Sequence, residues 1–165
     1  MFGRFLNPQK IKIPDPETCL PGRSVPLAVA EKHTVLGSST TGPWPDMEVL
    51  IVGLGCFWGA EKGFWRLPGV HSTEGGYTGG SEDSPTYELV CAGLTGHAEA
   101  VRIVYDPIVI SFSDILRWFW QCHDPTQADG QGNDRGRSSQ REFGAVGSGQ
   151  TATCRRARAP AAASP

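Results

Sequence analysis

The 165-residue chain lacks any Cys-x-x-Cys pair and any apolar run near the roughly 18 residues that a membrane span requires; Val49 to Leu54 is its densest stretch. Its five cysteines, Cys19, Cys56, Cys91, Cys122 and Cys154, are odd in number and widely spaced. That pattern argues against a disulfide scaffold or a zinc ribbon and makes reduced thiols the expectation. His33, His71, His97 and His123 form no pair at helix or hairpin spacing, and Asp124, Asp129 and Asp134 miss the calcium-loop pattern. Neither a metal nor another cofactor is expected. Charged residues are sparse, 19% of the chain with a net charge of −2, so neither nucleic acid nor an acidic membrane is an expected partner. The first six residues meet Asn7-Pro8 before a signal-peptide core could form, and the Arg- and Ser-rich pattern of a mitochondrial presequence is missing. A cytoplasmic location is the expectation.

What is present divides unevenly. Residues 1–134 carry 9 Lys+Arg against 16 Asp+Glu, whereas residues 135–165 carry 6 Arg against Glu142 alone. Residues 1–46 read as an extended arm, interrupted by prolines at 8, 14, 16, 21, 26, 43 and 45. Residues 135–165, rich in Ala, Arg, Ser and Gly, have little apolar surface to offset their ordering entropy and read as a disordered tail. Between them, residues 47–134 carry regular patterns. Glu48 to Val52 is a buried strand, and Phe57 to Arg66 a helix with Phe57, Ala60 and Phe64 on one face. Val70 to Tyr77 reads as a strand, Thr86 to Cys91 as a short helix, His97 to Tyr105 as a strand and Ile108 to Ser111 as a brief extended piece. Phe112 to His123 is the clearest helix, opened by a Ser111/Asp114 capping box and closed by Asp124-Pro125. This order of strands and helices implies a mixed α/β layer.

Two residues invite chemistry. Cys56 stands between a buried strand and the first turn of a helix, where backbone N–H groups and the helix dipole favour a thiolate; the alternative is a small apolar residue. Gly53-Leu54-Gly55 suggests a dinucleotide loop, but Trp58 occupies the third glycine position of that fingerprint. Glu99 shares a strand face with His97, Val101, Ile103 and Tyr105. A carboxyl on an apolar face stays protonated more readily and suits a general acid; the alternative is a glutamate in ordinary solvent.

Gly55-Cys56-Phe57-Trp58-Gly59-Ala60-Glu61 resembles the signature of the peptide methionine sulfoxide reductase A family. Phe64-Trp65 through Gly80, Pro85-Thr86-Tyr87, Thr95-Gly96-His97-Ala98-Glu99, Tyr105-Asp106-Pro107, Asp124-Pro125-Thr126 and Gln131-Gly132-Asn133-Asp134 continue the likeness in order, from about Val49 to Asp134. The resemblance implies an α+β fold, a mixed two-layer α/β sandwich, here incomplete at its carboxy-terminal end. It implies reduction of methionine S-sulfoxide, in proteins and free, with Cys56 as the nucleophile that becomes a sulfenic acid. Glu99 would be the proton donor, Phe57 and Trp58 would hold the substrate methyl, and Tyr87 and Asp134 would supply hydrogen bonds. Thioredoxin would be the reductant, and a monomer is expected. After Asp134 the family pattern departs: Gly136 is followed by Arg137-Ser138-Ser139-Gln140 where the family has a Gly-x-Gln-Tyr-Arg-Ser stretch, and the family's carboxy-terminal recycling cysteines do not follow. An impaired isoform with a binding role is therefore an alternative, and a Cys/His hydrolase using Cys56, His97 and Glu99 is a third reading.

Overall fold

Val49 to Val52, apolar without interruption, lies at the centre of the sheet. A computed structural model describes residues 15–123, apart from 24, 27 and 81–83, together with the backbone of 130–131, 134–135 and 143–146. Its elements are β1 (Glu48–Val52), α1 (Phe57–Phe64), β2 (Val70–Thr78), α2 (Tyr87–Ala92), β3 (Ala98–Tyr105), α3 (Phe112–Gln121), β4 (Gly130–Gln131), β5 (Asp134–Arg135) and β6 (Phe143–Val146), preceded among the described residues by a 3-10 turn at Pro16–Thr18. The main sheet has the order β2-β3-β1-β6 and every pairing in it is antiparallel. β4 and β5 form a separate two-stranded ladder.

The alternation of β3 sorts its two faces. Val101, Ile103 and Tyr105 join Leu50, Val52 and Leu54, and onto this face pack Phe64 of α1 and Ile115 and Phe119 of α3. The result is the α+β two-layer arrangement, with α1 and α3 on one side of the sheet. Each fully buried Phe, Ile or Val here contributes about 1.5–3 kcal/mol relative to an exposed one. Gly63 makes the fit possible: a Cβ there would stand 1.9 Å from Cη2 of Trp118, so α3 approaches α1 through the absence of a side chain. The expected capping box opens α3, with the Asp114 N–H donating to Ser111 Oγ at 3.2 Å and the Ser111 hydroxyl donating to Asp114 Oδ2 at 2.6 Å.

Two expectations need correction. Ile108 to Ser111 is not extended: the N–H groups of Val109 and Ile110 donate to the Asp106 carbonyl, and that of Ile108 to Asp106 Oδ1, so the segment is a turn. An aspartate that closes on its own backbone, followed by Pro107, outweighs the β preference of Ile and Val. Residues 143–146 fall in the segment read as a disordered tail, yet their backbone forms β6, with Val146 opposite Val49 and Phe143 opposite Val52. The open edge of β1 offers unpaired N–H and C=O groups, and this is the stretch of the tail that holds its sizeable apolar residues. The rest of 135–165 beyond Arg135 lies outside the described residues.

The described part of the arm lies along the edge of the sheet. His33 is buried, its Nδ1 accepts the N–H groups of Val35 and Leu36 at 3.1 and 3.0 Å, and its Nε2 therefore donates to Thr73 Oγ1 at 2.8 Å. The Thr73 hydroxyl passes the chain on to Glu61 of α1 at 3.1 Å. The Ser38 hydroxyl donates to the His71 carbonyl. On the other face, Arg102 pairs with Glu74, donates to the Thr40 carbonyl at 2.9 Å and lies 5.1 Å from the Trp44 ring centre. Farther back, Leu20 N–H bonds Leu94 O and Arg23 N–H bonds Ser84 O, so the arm also straps the loops around α2. Side-chain and backbone hydrogen bonds hold the described part of the arm down.

Candidate active site

Cys56 owes its position to a glycine. Gly55 has φ +92°, in the left-handed region that favours glycine, and this bend lets Cys56 cap α1. The cysteine is exposed and its thiol makes no capping hydrogen bond. The unpaired N–H groups of the first helical turn converge at this corner. One of them, from Phe57, donates to Glu99 Oε2 at 3.1 Å. The Glu99 carboxyl is thus seated at the same helix end that Cys56 caps, and it is only 8% exposed.

The neighbours come from β2 and α2. Tyr77 stands directly opposite Glu99 in the β2–β3 pairing, and its ring centre lies 5.6 Å from that of Phe57. Burial, followed by the charge of Glu99, pushes the Tyr77 hydroxyl up to about 12, so it keeps its proton. Sequence reading passed over Tyr77; the available signal was its cross-strand register with Glu99. Tyr87 opens α2 and is exposed. Its hydroxyl is also held above the usual tyrosine range, first by a hydrogen bond with the Cys91 thiol, and the charges of Glu99 and Cys56 act in the same direction. Trp58, 75% exposed, stands beside Cys56 at the surface. Cys56, Phe57, Trp58 and Glu99 therefore meet at one end of α1, with Tyr77 and Tyr87 facing Glu99. Asp134 has its backbone in β5, and its side chain lies outside the described residues. His97 is buried and its Nδ1 accepts the Gly80 N–H at 3.3 Å, a task at the end of the β2–β3 pair rather than that of a base for Cys56.

On another flank of Cys56 a cavity of about 400 Å³ opens between α1 and α3, lined by Cys56, Gly59, Ala60, Trp118, Cys122 and His123 among others. Cys122 is not packed within α3. It is the C-cap of that helix and exposed, with its thiol donating to the Phe119 carbonyl at 3.3 Å. Desolvation at the sulfur pushes this thiol up to about 11. Iodoacetamide at pH 7.5 is therefore expected to modify Cys56 well before Cys122, because the thiolate is the reactive form. Labelling of Cys122 itself should rise by about tenfold per pH unit below 11. Equal labelling of the two in the folded chain at pH 7.5, measured by peptide mass mapping, would remove the argument for a distinct thiol at the α1 cap.

No group of three or more His, Cys, Asp or Glu is gathered to hold a metal ion among the described residues, and none of their helices is long and apolar enough to cross a membrane.

Residues 48–148 match the family described as peptide methionine sulfoxide reductase. The chain is 51% identical over 133 residues to the peptide methionine sulfoxide reductase MsrA of Salinispora arenicola, covering 80% of this chain and 60% of that protein. It is 57% identical over 121 residues to the MsrA of Escherichia fergusonii, covering 73% of this chain and 57% of that one. Among solved structures, methionine sulfoxide reductase A of Corynebacterium diphtheriae superposes with a TM-score of 0.77 at 39% identity, over 82% of this chain and 64% of that chain. Mxr1 from Saccharomyces cerevisiae in its reduced form gives a TM-score of 0.59 at 30% identity, over 66% of this chain and 65% of that one. The chain spans about 60% of the length of the curated relatives it matches.

Proposed function

The chain belongs to the peptide methionine sulfoxide reductase family, and on that premise we propose that it reduces methionine S-sulfoxide, in proteins and as the free amino acid, at Cys56. The observation that carries this reading is the Glu99 carboxyl seated, through the Phe57 N–H, at the helix end that Cys56 caps. Cys56 attacks the sulfoxide sulfur, and Glu99 passes a proton to the oxygen, which makes that sulfur electrophilic. Phe57 and Trp58 provide soft aromatic surface for the S-methyl group. Tyr77 and Tyr87, both holding their protons, are hydrogen-bond donors toward the same oxygen, and the family likeness gives Asp134 a further hydrogen-bonding role. Methionine leaves, its sulfur reduced by two electrons, and Cys56 carries the oxygen away as a sulfenic acid.

A dithiol returns the two electrons, and thioredoxin is its natural form. The thiols at Cys56, Cys91 and Cys122 suit a reducing compartment such as the cytoplasm, and the chain acts as a monomer. The test is methionine release from a peptide bearing methionine S-sulfoxide, with dithiothreitol as reductant and the R epimer as control. Catalytic turnover of the S epimer alone is expected. Failure to release even one methionine per chain would overturn the proposal.

A further inference from the structure

Resting on the reading above, we propose that Cys122 resolves the Cys56 sulfenic acid, closing a Cys56–Cys122 disulfide across the cavity between α1 and α3. Both cysteines line that one cavity, Cys56 from the N-cap of α1 and Cys122 from the C-cap of α3. Cys91 does not line that cavity; its thiol is engaged by the Tyr87 hydroxyl. Between Cys56 and Cys122 the lining is small or apolar, Gly59 and Ala60 on one wall and Trp118 on the other, so no bulky polar side chain of α1 must be displaced. His123 is the other titratable group on the cavity wall.

The step balances without an added oxidant. The Cys122 sulfur attacks the Cys56 sulfur, the S–O bond breaks, and the oxygen leaves as water with the proton of the sulfenic hydroxyl and the proton of Cys122. The two sulfurs then share the oxidation that Cys56 held alone. Closing the bond requires Cα atoms within the range a disulfide spans, about 4.4–6.8 Å. Movement of Cys122 toward Cys56 gives up the hydrogen bonds from its N–H to Trp118 O and from its thiol to Phe119 O, both at a helix end. Because that thiol is held up near 11, resolution is expected to quicken with pH, about tenfold per unit from 7 to 10.

The experiment oxidises the full chain in two ways, with one equivalent of methionine S-sulfoxide peptide and separately with one equivalent of hydrogen peroxide. Free methionine is counted, and non-reduced peptide maps locate the disulfide. The expected result is a Cys56–Cys122 linked peptide in both, one methionine per disulfide in the first, and in Cys122→Ser a dimedone adduct on Cys56 raised at least about tenfold. Cys56 recovered without that bond, whether as thiol, as sulfenic acid or paired to another cysteine, overturns the inference. The peroxide arm keeps the two readings apart: the disulfide there, with no methionine in the first arm, supports the pairing while the reductase reading fails.

Discussion

Replacing Cys56 by serine is expected to bring methionine release down to the rate seen with dithiothreitol alone. An alcohol at this position has neither the thiolate population nor the polarisability to displace oxygen at a sulfoxide sulfur, and it cannot store the oxygen as a sulfenic acid. Serine has the size of cysteine and is a better helix cap, since its hydroxyl can accept an N–H of the first turn that the Cys56 thiol leaves without a side-chain partner. The folded state is therefore retained, and the thermal midpoint should stay level or rise slightly. Loss of activity with an unchanged or higher midpoint is the signature of lost chemistry. Turnover in Cys56→Ser above the reagent background would place the nucleophile elsewhere.

Glu99→Gln is expected to lower kcat by about 10²–10³-fold, with KM moving only a few-fold. The glutamine carbonyl can still accept the Phe57 N–H, so the α1 end and the substrate corner keep their geometry. Its amide can still hydrogen-bond the sulfoxide oxygen, but it cannot surrender a proton as the S–O bond breaks. A hundredfold loss corresponds to about 2.7 kcal/mol of transition-state stabilisation. A variant that keeps wild-type kcat would assign the proton to another donor, for which Tyr77, held in the protonated form opposite Glu99, is the candidate on this corner.

Periodicity read the scaffold of this site correctly where one face of one element decides the outcome. The continuous apolar run at Val49 to Val52 became the central strand, and the spacing of Ile115 and Phe119 set the buried side of α3. Cys56 and Glu99 were legible for the same reason: one stands at a strand-to-helix junction, the other is a carboxyl in line with Val101 and Ile103. Features made by residues far apart in sequence were not legible. Tyr77 gains its meaning from the register with Glu99, Cys122 from a cavity formed by two helices, and β6 from an open edge of β1. The arm is a different case. Its prolines predict an extended segment, but say nothing of what it lies against.

That arm has a consequence for how the chain comes into being. His33, Thr40 and Leu20 are synthesised early, but their partners Thr73, Arg102 and Leu94 follow 40 to 74 residues later. No arm contact to the sheet can form until β2 and β3 have emerged and paired, so a segment made early must wait for its partners. Each of these contacts closes a long loop whose entropy must be met by a scaffold already in place. Until then the outer edge of β2 stands open in the nascent protein, and its N–H and C=O groups are available to any other extended chain nearby. The interval between the pairing of β2 with β3 and the arrival of His33 at Thr73 is thus one in which that edge is unprotected.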